Sequence, residues 1–246
     1  MRLANQVAIV TGGGSGIGKA IAAAFVREGC KVVITGRNAD KLNHAAREIG
    51  TGCLAVPADV GNPQDIQPLV EATLAGFGGI NTVVNNAGVL LAGTAESLTE
   101  DDWQQTFNIN VLGVWRLSRA VLPHLRAAGG GSIINLGSVL STLGARNRVA
   151  YAASKGAVLQ ITRAMAVDHA LEKIRVNCIC PAIVETDMVA GFGMDATARA
   201  QRLAMHPIGH FGQPEDVSGL AVFLASDESK WITGAAYNVD GGYTAW

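Results

Sequence analysis

The stretch Val7-Ala8-Ile9-Val10-Thr11-Gly12-Gly13-Gly14-Ser15-Gly16-Ile17-Gly18 decides the fold. Val7–Thr11 reads as a buried strand. The glycines that follow suit a tight turn, and Gly16–Glu28 reads as a helix. A helix N-terminus presents free N–H groups and partial positive charge, and glycines let a phosphate approach the backbone. The spacing is Gly12-x-x-x-Gly16-x-Gly18 rather than G-x-G-x-x-G. Strand, glycine turn and helix in that order fit a dinucleotide site. Gly13 to Lys19 also approaches a triphosphate loop, but Ala20 stands where a magnesium-binding hydroxyl is needed.

Working outward, short apolar runs alternate with helical stretches. Strands are expected at Lys31–Thr35, Cys53–Val56, Thr82–Asn85, Ser132–Leu136, Arg175–Ile179 and Ala236–Val239. Helices are expected at Asn38–Ile49, Pro63–Gly76, Ala150–Ala170 and Pro214–Ala225. A further helical region, Asp102–Ala127, is expected to break once. This alternation predicts an α/β fold: one Rossmann-type, doubly wound parallel sheet with helices on both faces. No composition shift divides residues 1–246, so a single domain is expected. Ligands of such sheets bind beyond the carboxyl ends of the strands.

The chain has 246 residues, 49% hydrophobic and 16% charged, with 19 basic and 20 acidic side chains. Mean hydropathy is +0.26. That composition excludes a disordered chain. The absence of a basic stripe argues against a nucleic-acid partner. No apolar run approaches the ~18 residues of a membrane span. With no secretory leader apparent at the N-terminus, a cytoplasmic location is expected. The four cysteines, Cys30, Cys53, Cys178 and Cys180, are expected to be buried thiols, the last two facing one side of a strand. His206 and His210 have metal-ligand spacing, but Pro207 and Gly209 interrupt the helix needed to align them; no metal is expected.

Three positions bear on the cofactor. Strand two ends at Gly36-Arg37, with no acid to hold a ribose 2′-hydroxyl. Arg37 is either a clasp for a 2′-phosphate, favouring NADP(H) over NAD(H), or a solvated charge. Asp59, followed by Val60, either accepts from an adenine amino group or caps a turn. Asn85-Asn86-Ala87-Gly88 either braces the sheet end beside the cofactor or is an ordinary turn. Beyond strand five lie Ser138 and, four residues apart on one helical face, Tyr151 and Lys155. A nearby ammonium lowers a phenol pKa toward neutrality, which would let Tyr151 exchange a proton.

Taken together, these residues resemble the short-chain dehydrogenase/reductase family over essentially the whole chain. Thr11-Gly12-x-x-x-Gly16-Ile17-Gly18 is similar to its cofactor loop, and Asn85-Asn86-Ala87-Gly88 to its sheet motif. Ser138 precedes Tyr151-Ala-Ala-Ser-Lys155 by the family's interval. Asn108-Ile-Asn110-Val-Leu-Gly113 matches its helix asparagine, and Ile232-Thr233-Gly234 with Val239-Asp240-Gly241-Gly242 its C-terminal pattern.

The resemblance implies hydride transfer between NADP(H), or else NAD(H), and a ketone or secondary alcohol. Tyr151 is the implied acid/base and Ser138 the residue that orients the oxygen. Lys155 is implied to bind the nicotinamide ribose, and Asn110 to hold a relay water. Gly12, Ser15, Gly16, Ile17, Gly18, Arg37, Asp59, Val60, Asn86, Ala87, Gly88, Tyr151, Lys155, Ile183 and Thr186 are the implied cofactor contacts. Residues 1–135 mainly bind cofactor, and 136–246 carry the catalytic set with a lid over 185–213. Gly191 and Gly193 are its candidate hinges. Ala182 replaces the family's usual glycine and narrows the pocket. A homotetramer is implied, in keeping with Tyr243 and Trp246 at the C-terminus.

Two other enzyme readings remain: a 3-oxoacyl-carrier-protein reductase, with Arg126 as its basic residue, and an NAD-dependent alcohol or polyol dehydrogenase. A non-catalytic NADP(H) sensor is disfavoured by the complete catalytic set. Arg146 and Arg148 either meet an anionic substrate or are solvated loop charges.

Overall fold

The computed structural model describes all 246 residues. Seven strands form one sheet: β1 (Val7–Thr11), β2 (Lys31–Gly36), β3 (Cys53–Pro57), β4 (Thr82–Asn85), β5 (Gly131–Leu136), β6 (Ile174–Pro181) and β7 (Ala236–Val239). Their order is β3-β2-β1-β4-β5-β6-β7, and every pairing is parallel. Parallel strands are covered on both faces, which is why β1, β4 and nearly all of β5 are buried throughout. The order reverses between β1 and β4, and that switch point opens a crevice at the carboxyl edge.

Side chains alternate across the sheet. Ala8, Val10, Ile34 and Ile134 pack with Ile21 and Phe25 of α1 (Gly16–Arg27). Val217 and Leu224, from the late helix Pro214–Ala225, complete that layer. Ile9, Val33, Val83 and Ile133 face the opposite way. They meet Leu69 of the helix Pro63–Phe77 and Leu117 and Leu125 of Gly113–Ala127.

The expected helical region opens at Glu100, because the Thr99 hydroxyl accepts from the Asp102 N–H at 3.1 Å. Its single break is a π-helical turn, Asn108–Leu112, which holds Asn110. In chain order the helices before it are α1, α2 (Ala39–Ile49), α3 (Pro63–Phe77) and α4 (Glu100–Phe107). After it come α5 (Gly113–Ala127) and α6 (Val149–His169). The lid segment is more regular than its polar composition suggested. It contains α7 (Asp187–Ala190) and α8 (Ala196–Leu203), followed by α9 (Pro214–Ala225). The Asp195 carboxylate caps α8 by accepting from the Ala198 N–H at 2.7 Å. Gly193 adopts φ +57°, whereas Gly191 has ordinary helical φ, so only Gly193 has hinge-like backbone. Cys53 is only partly buried, unlike the other three cysteines.

A buried polar chain fastens β4 and β5 to the helices behind them. Asn85 Nδ2 donates to Ser118 Oγ at 3.0 Å and to Asn135 Oδ1 at 2.8 Å. Asn135 Nδ2 donates to Thr162 Oγ1 at 2.9 Å. Removing Asn135 leaves one Asn85 amide proton without a partner, while Thr162 keeps its bond to the Val158 carbonyl, at about 1–3 kcal/mol for the stranded group. Asn135→Ala is therefore expected to lower Tm by roughly 2–12 °C, at about 2–4 °C per kcal/mol for this chain length. Thermal unfolding at fixed protein concentration checks this; an unchanged Tm contradicts it.

Candidate active site

The glycine loop leaves β1 with Gly12 at φ +64° and Gly16 at φ +52°, conformations that disfavour side chains. At Gly18 the reason is space: a Cβ would sit 2.4 Å from the Gly12 carbonyl. The loop is tied to β4. The Thr11 hydroxyl accepts from the N–H groups of Asn86 and Ala87, both at 2.9 Å. Asn86 Nδ2 donates to the Thr11 carbonyl at 2.9 Å. These bonds favour the bracing role of Asn85–Gly88 over an ordinary turn. Ser15 puts no side-chain cap on α1, whose first turn holds no acid, so its N–H groups are free for an anion.

A cavity of about 460 Å³ runs from this loop to the ends of β5 and β6. Gly12, Ser15, Gly16, Ile17, Asn86, Ala87 and Gly88 line one part; Ser138, Tyr151, Lys155, Ala182, Ile183 and Thr186 also face it. Gly18, Arg37, Asp59, Val60 and Asn110 do not. Arg37 is exposed just past β2 and no carboxylate pairs with it. Asp59 follows β3, and its Oδ1 accepts from the Gly61 N–H at 2.8 Å, a turn-capping bond. Because Gly36 and Pro57 pair across β2 and β3, Arg37 and Asp59 share one stretch of the carboxyl edge. Val60 is buried, against the position where Gly113 starts α5.

Ser138 lies two residues past β5 and caps a 3₁₀ turn, its Oγ accepting from the Leu140 N–H at 3.1 Å. That leaves its O–H for Tyr151, in the first turn of α6. Burial pushes the Tyr151 phenol up to about 12, against opposing effects of the Ser138 hydrogen bond and the Arg148 charge. Lys155 Nζ lies 5.6 Å from the Tyr151 ring centroid and donates to the Leu136 carbonyl at 2.6 Å. Burial pushes it down to about 8. The expected depression of Tyr151 by Lys155 is therefore not the arrangement here. The ammonium is spent on Leu136, and Ser138 and Arg148 are the groups that ease phenol ionisation. Asn110 is buried, with Nδ2 donating to Val89 O at 2.9 Å and Ser154 Oγ at 3.0 Å.

Several lining residues lacked a sequence signal. Phe192, Met188 and Met194 come from the lid, and Arg202 from α8, whose helical state was not expected. Tyr243 lines the cavity rather than an outer face, with its ring 5.2 Å from that of His206; Trp246 is exposed. Arg148 faces the cavity and Arg146 is exposed outside it. His206 Nδ1 contacts the Arg202 carbonyl and His210 Nδ1 the Phe211 carbonyl, so they share no ligand point. No group of three His, Cys, Asp or Glu side chains converges as a metal site. Cys178 and Cys180 lie side by side, Sγ to Sγ 3.7 Å, as the strand periodicity predicted.

A family model described as enoyl-(acyl carrier protein) reductase matches residues 12–244. The NADP-dependent (R)-specific alcohol dehydrogenase of Lentilactobacillus kefiri is 42% identical, over 99% of this chain and 98% of that relative. The chain belongs to the short-chain dehydrogenase/reductase family. The 2-(S)-hydroxypropyl-CoM dehydrogenase 3 of Xanthobacter autotrophicus is 37% identical, over 99% of this chain and 98% of its own. The 3-ketoacyl-(acyl-carrier-protein) reductase of Brucella melitensis, solved with NADH, superposes with TM-score 0.94 at 35% identity, over 98% of this chain and 99% of its own. This short-chain dehydrogenase/reductase is a nicotinamide-dependent oxidoreductase acting on ketone/alcohol pairs. No helix is long and apolar enough to cross a membrane.

The buried lysine gives a pH signature. Its folded pKa lies below its unfolded value of 10.5, so the unfolded chain binds more protons between about 8 and 10.5. The charge thus opposes folding below about 8, and that penalty fades as pH rises to 10.5. Lys155→Met, with no ligand added, is expected to be more stable than wild type at pH 7, by an upper limit of about 3 kcal/mol at ~1.4 kcal/mol per unit. Denaturant midpoints from pH 7 to 10.5 should show the two proteins converging.

Proposed function

We propose that the chain is an NADP(H)-preferring reductase of ketones, running in reverse as a secondary-alcohol dehydrogenase. One observation carries this reading: Ser138, Tyr151 and Lys155 face the same cavity as the glycine loop. The loop fits a dinucleotide, since its glycines leave the wall bare where a Cβ at Gly16 would press within 3.0 Å of Thr186. Gly12, Ser15, Gly16, Ile17 and the Asn86–Gly88 turn would hold the cofactor, with Ile183 and Thr186 at its nicotinamide end. Gly18 acts by close packing alone. Asp59 and Val60 would meet the adenine end through that part of the edge, since Asp59 Oδ1 is already engaged. When bound, the nicotinamide supplies or accepts the hydride.

The chain's own residues manage the oxygen. Ser138 donates to the substrate carbonyl and fixes its orientation. Tyr151 gives its proton to that oxygen in reduction and takes it back in oxidation. A phenol near 12 is a reluctant donor, so substrate oxygen held by Ser138 is the partner that draws its proton. Lys155, buried one turn along α6, would leave Leu136 for the nicotinamide ribose and then ease Tyr151 ionisation. Both Asn110 amide protons are committed, so a relay water would rest on its main-chain carbonyl.

Arg37 favours NADP(H) because a free guanidinium follows Gly36 and no acid ends β2. The NADP-dependent L. kefiri relative agrees with it. The carrier-protein reading is weakened because Arg126 Nε is bound to Glu172 at 2.8 Å and offers less charge to an acidic partner. Exposed Trp103, Leu112 and Trp115 on α4, the π turn and α5 support assembly into a homotetramer. A cytoplasmic location accords with this reading.

Tyr151→Phe is expected to lower kcat on an aryl ketone at least 10³-fold while NADPH binding, read by fluorescence titration, stays within about threefold. A loss within tenfold sinks the acid–base role. Arg37→Gln is expected to raise KM for NADPH tenfold or more and to leave KM for NADH within twofold. Equal effects on both cofactors remove the 2′-phosphate assignment.

A further inference from the structure

Four charged side chains face the cavity: Arg148, Lys155, Asp187 and Arg202. Two are already answered. Asp187 pairs with Lys41 at 3.2 Å, and Lys155 donates to Leu136. The two guanidiniums are not: neither Arg148 nor Arg202 pairs with any carboxylate in the chain. Arg199, one turn earlier on α8, is paired with Glu185, so the segment does supply a partner where charge is only structural.

Arg148 is the N-cap residue of α6, three positions before Tyr151. Both side chains line the cavity. Its guanidinium stacks over Phe192 at 5.1 Å, and its one hydrogen bond goes to the neighbouring Asn147 carbonyl at 2.9 Å. Arg202 reaches the same cavity from α8, and its charge, after burial, is what pulls the Arg148 pKa down. Both guanidiniums face the cavity with no carboxylate from the chain, Arg148 half-buried against Phe192 and Arg202 exposed on the lid side. An anion between them would accept charge-assisted hydrogen bonds from both guanidiniums.

We infer that Arg148 and Arg202 form an anion clamp beside Tyr151, and that the substrate is a ketone or secondary alcohol bearing a carboxylate or sulfonate a few bonds from the reacting carbon. This rests on the reductase reading above for the reaction, but not for the binding. Arg148 anchors the anion on the helix that carries the acid/base residue, so the anion sets which carbon meets Tyr151. Arg202 rides on the lid and closes on the anion after entry. Met188, Met194 and Phe192 supply the apolar wall between the charged group and the carbonyl.

The test compares 4-oxopentanoate, its methyl ester and the sulfonate of equal chain length, in wild type, Arg148→Gln and Arg202→Gln. Arg146→Gln, exposed outside the cavity, is the control. The wild-type kcat/KM is expected to favour an anion over the ester tenfold or more. Each cavity variant should cut that ratio at least tenfold, and the control should leave it within twofold. Carboxylate and sulfonate arms tell which anion is preferred. Arg148→Lys, which keeps the charge, should retain part of the ratio and guards against misfolding of the glutamine variant. Calorimetry with pentanoate and butanesulfonate gives a readout independent of turnover. Saturable binding is expected in wild type and its loss in the double variant. A wild-type ratio near one, or a ratio unmoved in both variants, overturns the clamp while leaving the reductase intact. Arginine-dependent binding with no turnover of any ketone overturns the reductase and leaves the clamp.

Discussion

The bond set between Thr11 and Asn86 holds the molecule at its weakest topological point. β1 and β4 are adjacent, yet the chain leaves them in opposite directions. Nothing in the sheet ladder extends past their carboxyl ends to keep the two departing loops together. The Thr11 hydroxyl accepts two N–H groups from the β4 side, and the Asn86 amide returns a donor to the Thr11 carbonyl. The glycine loop and the Asn86–Gly88 turn thereby become one wall. The cavity, the free N–H groups of α1 and the path toward Ser138 all take their positions from it.

The second constraint is electrostatic. Lys155 is 5% exposed, with one carbonyl for a partner and two sulfurs in its vicinity. Burying an ammonium so sparsely partnered lowers stability and primes the side chain to move toward a better acceptor. Tyr151 is held neutral by the same burial. In the proposed reaction, the acid/base chemistry would then depend on occupancy of the site.

The fold was readable because its signals are local and repetitive. The alternation of apolar strands and helices survives any error in boundaries, and Thr11–Gly18 places the crevice. Spacing put Tyr151 and Lys155 on one face of a helix, but Ser138 joined them only through the family resemblance; the structure turns all three to one cavity. What escaped depended on distant neighbours. The lid looked irregular because α8 starts at the Asp195 cap and buries none of its residues, so it leaves no core-facing periodicity to read. Arg202 escaped with it. Tyr243, read from sequence only as fitting an assembly, lines the cavity with its ring edge against His206. The direction of Lys155 was hidden too, for sequence gives its turn of helix but not which oxygen its ammonium reaches.

The π turn at Asn108–Leu112 fits one more residue into a turn than an α-helix holds. That surplus sets Asn110 where its amide meets Val89 and Ser154, joining the β4 exit to α6. Removing a single residue there would let α4 and α5 fuse into one continuous rod with uninterrupted bonding. The rod would be the better helix and the worse scaffold, since Asn110 would rotate away from both partners. Chain length in this segment is therefore under a constraint separate from residue identity: a one-residue deletion reads out as a change of phase.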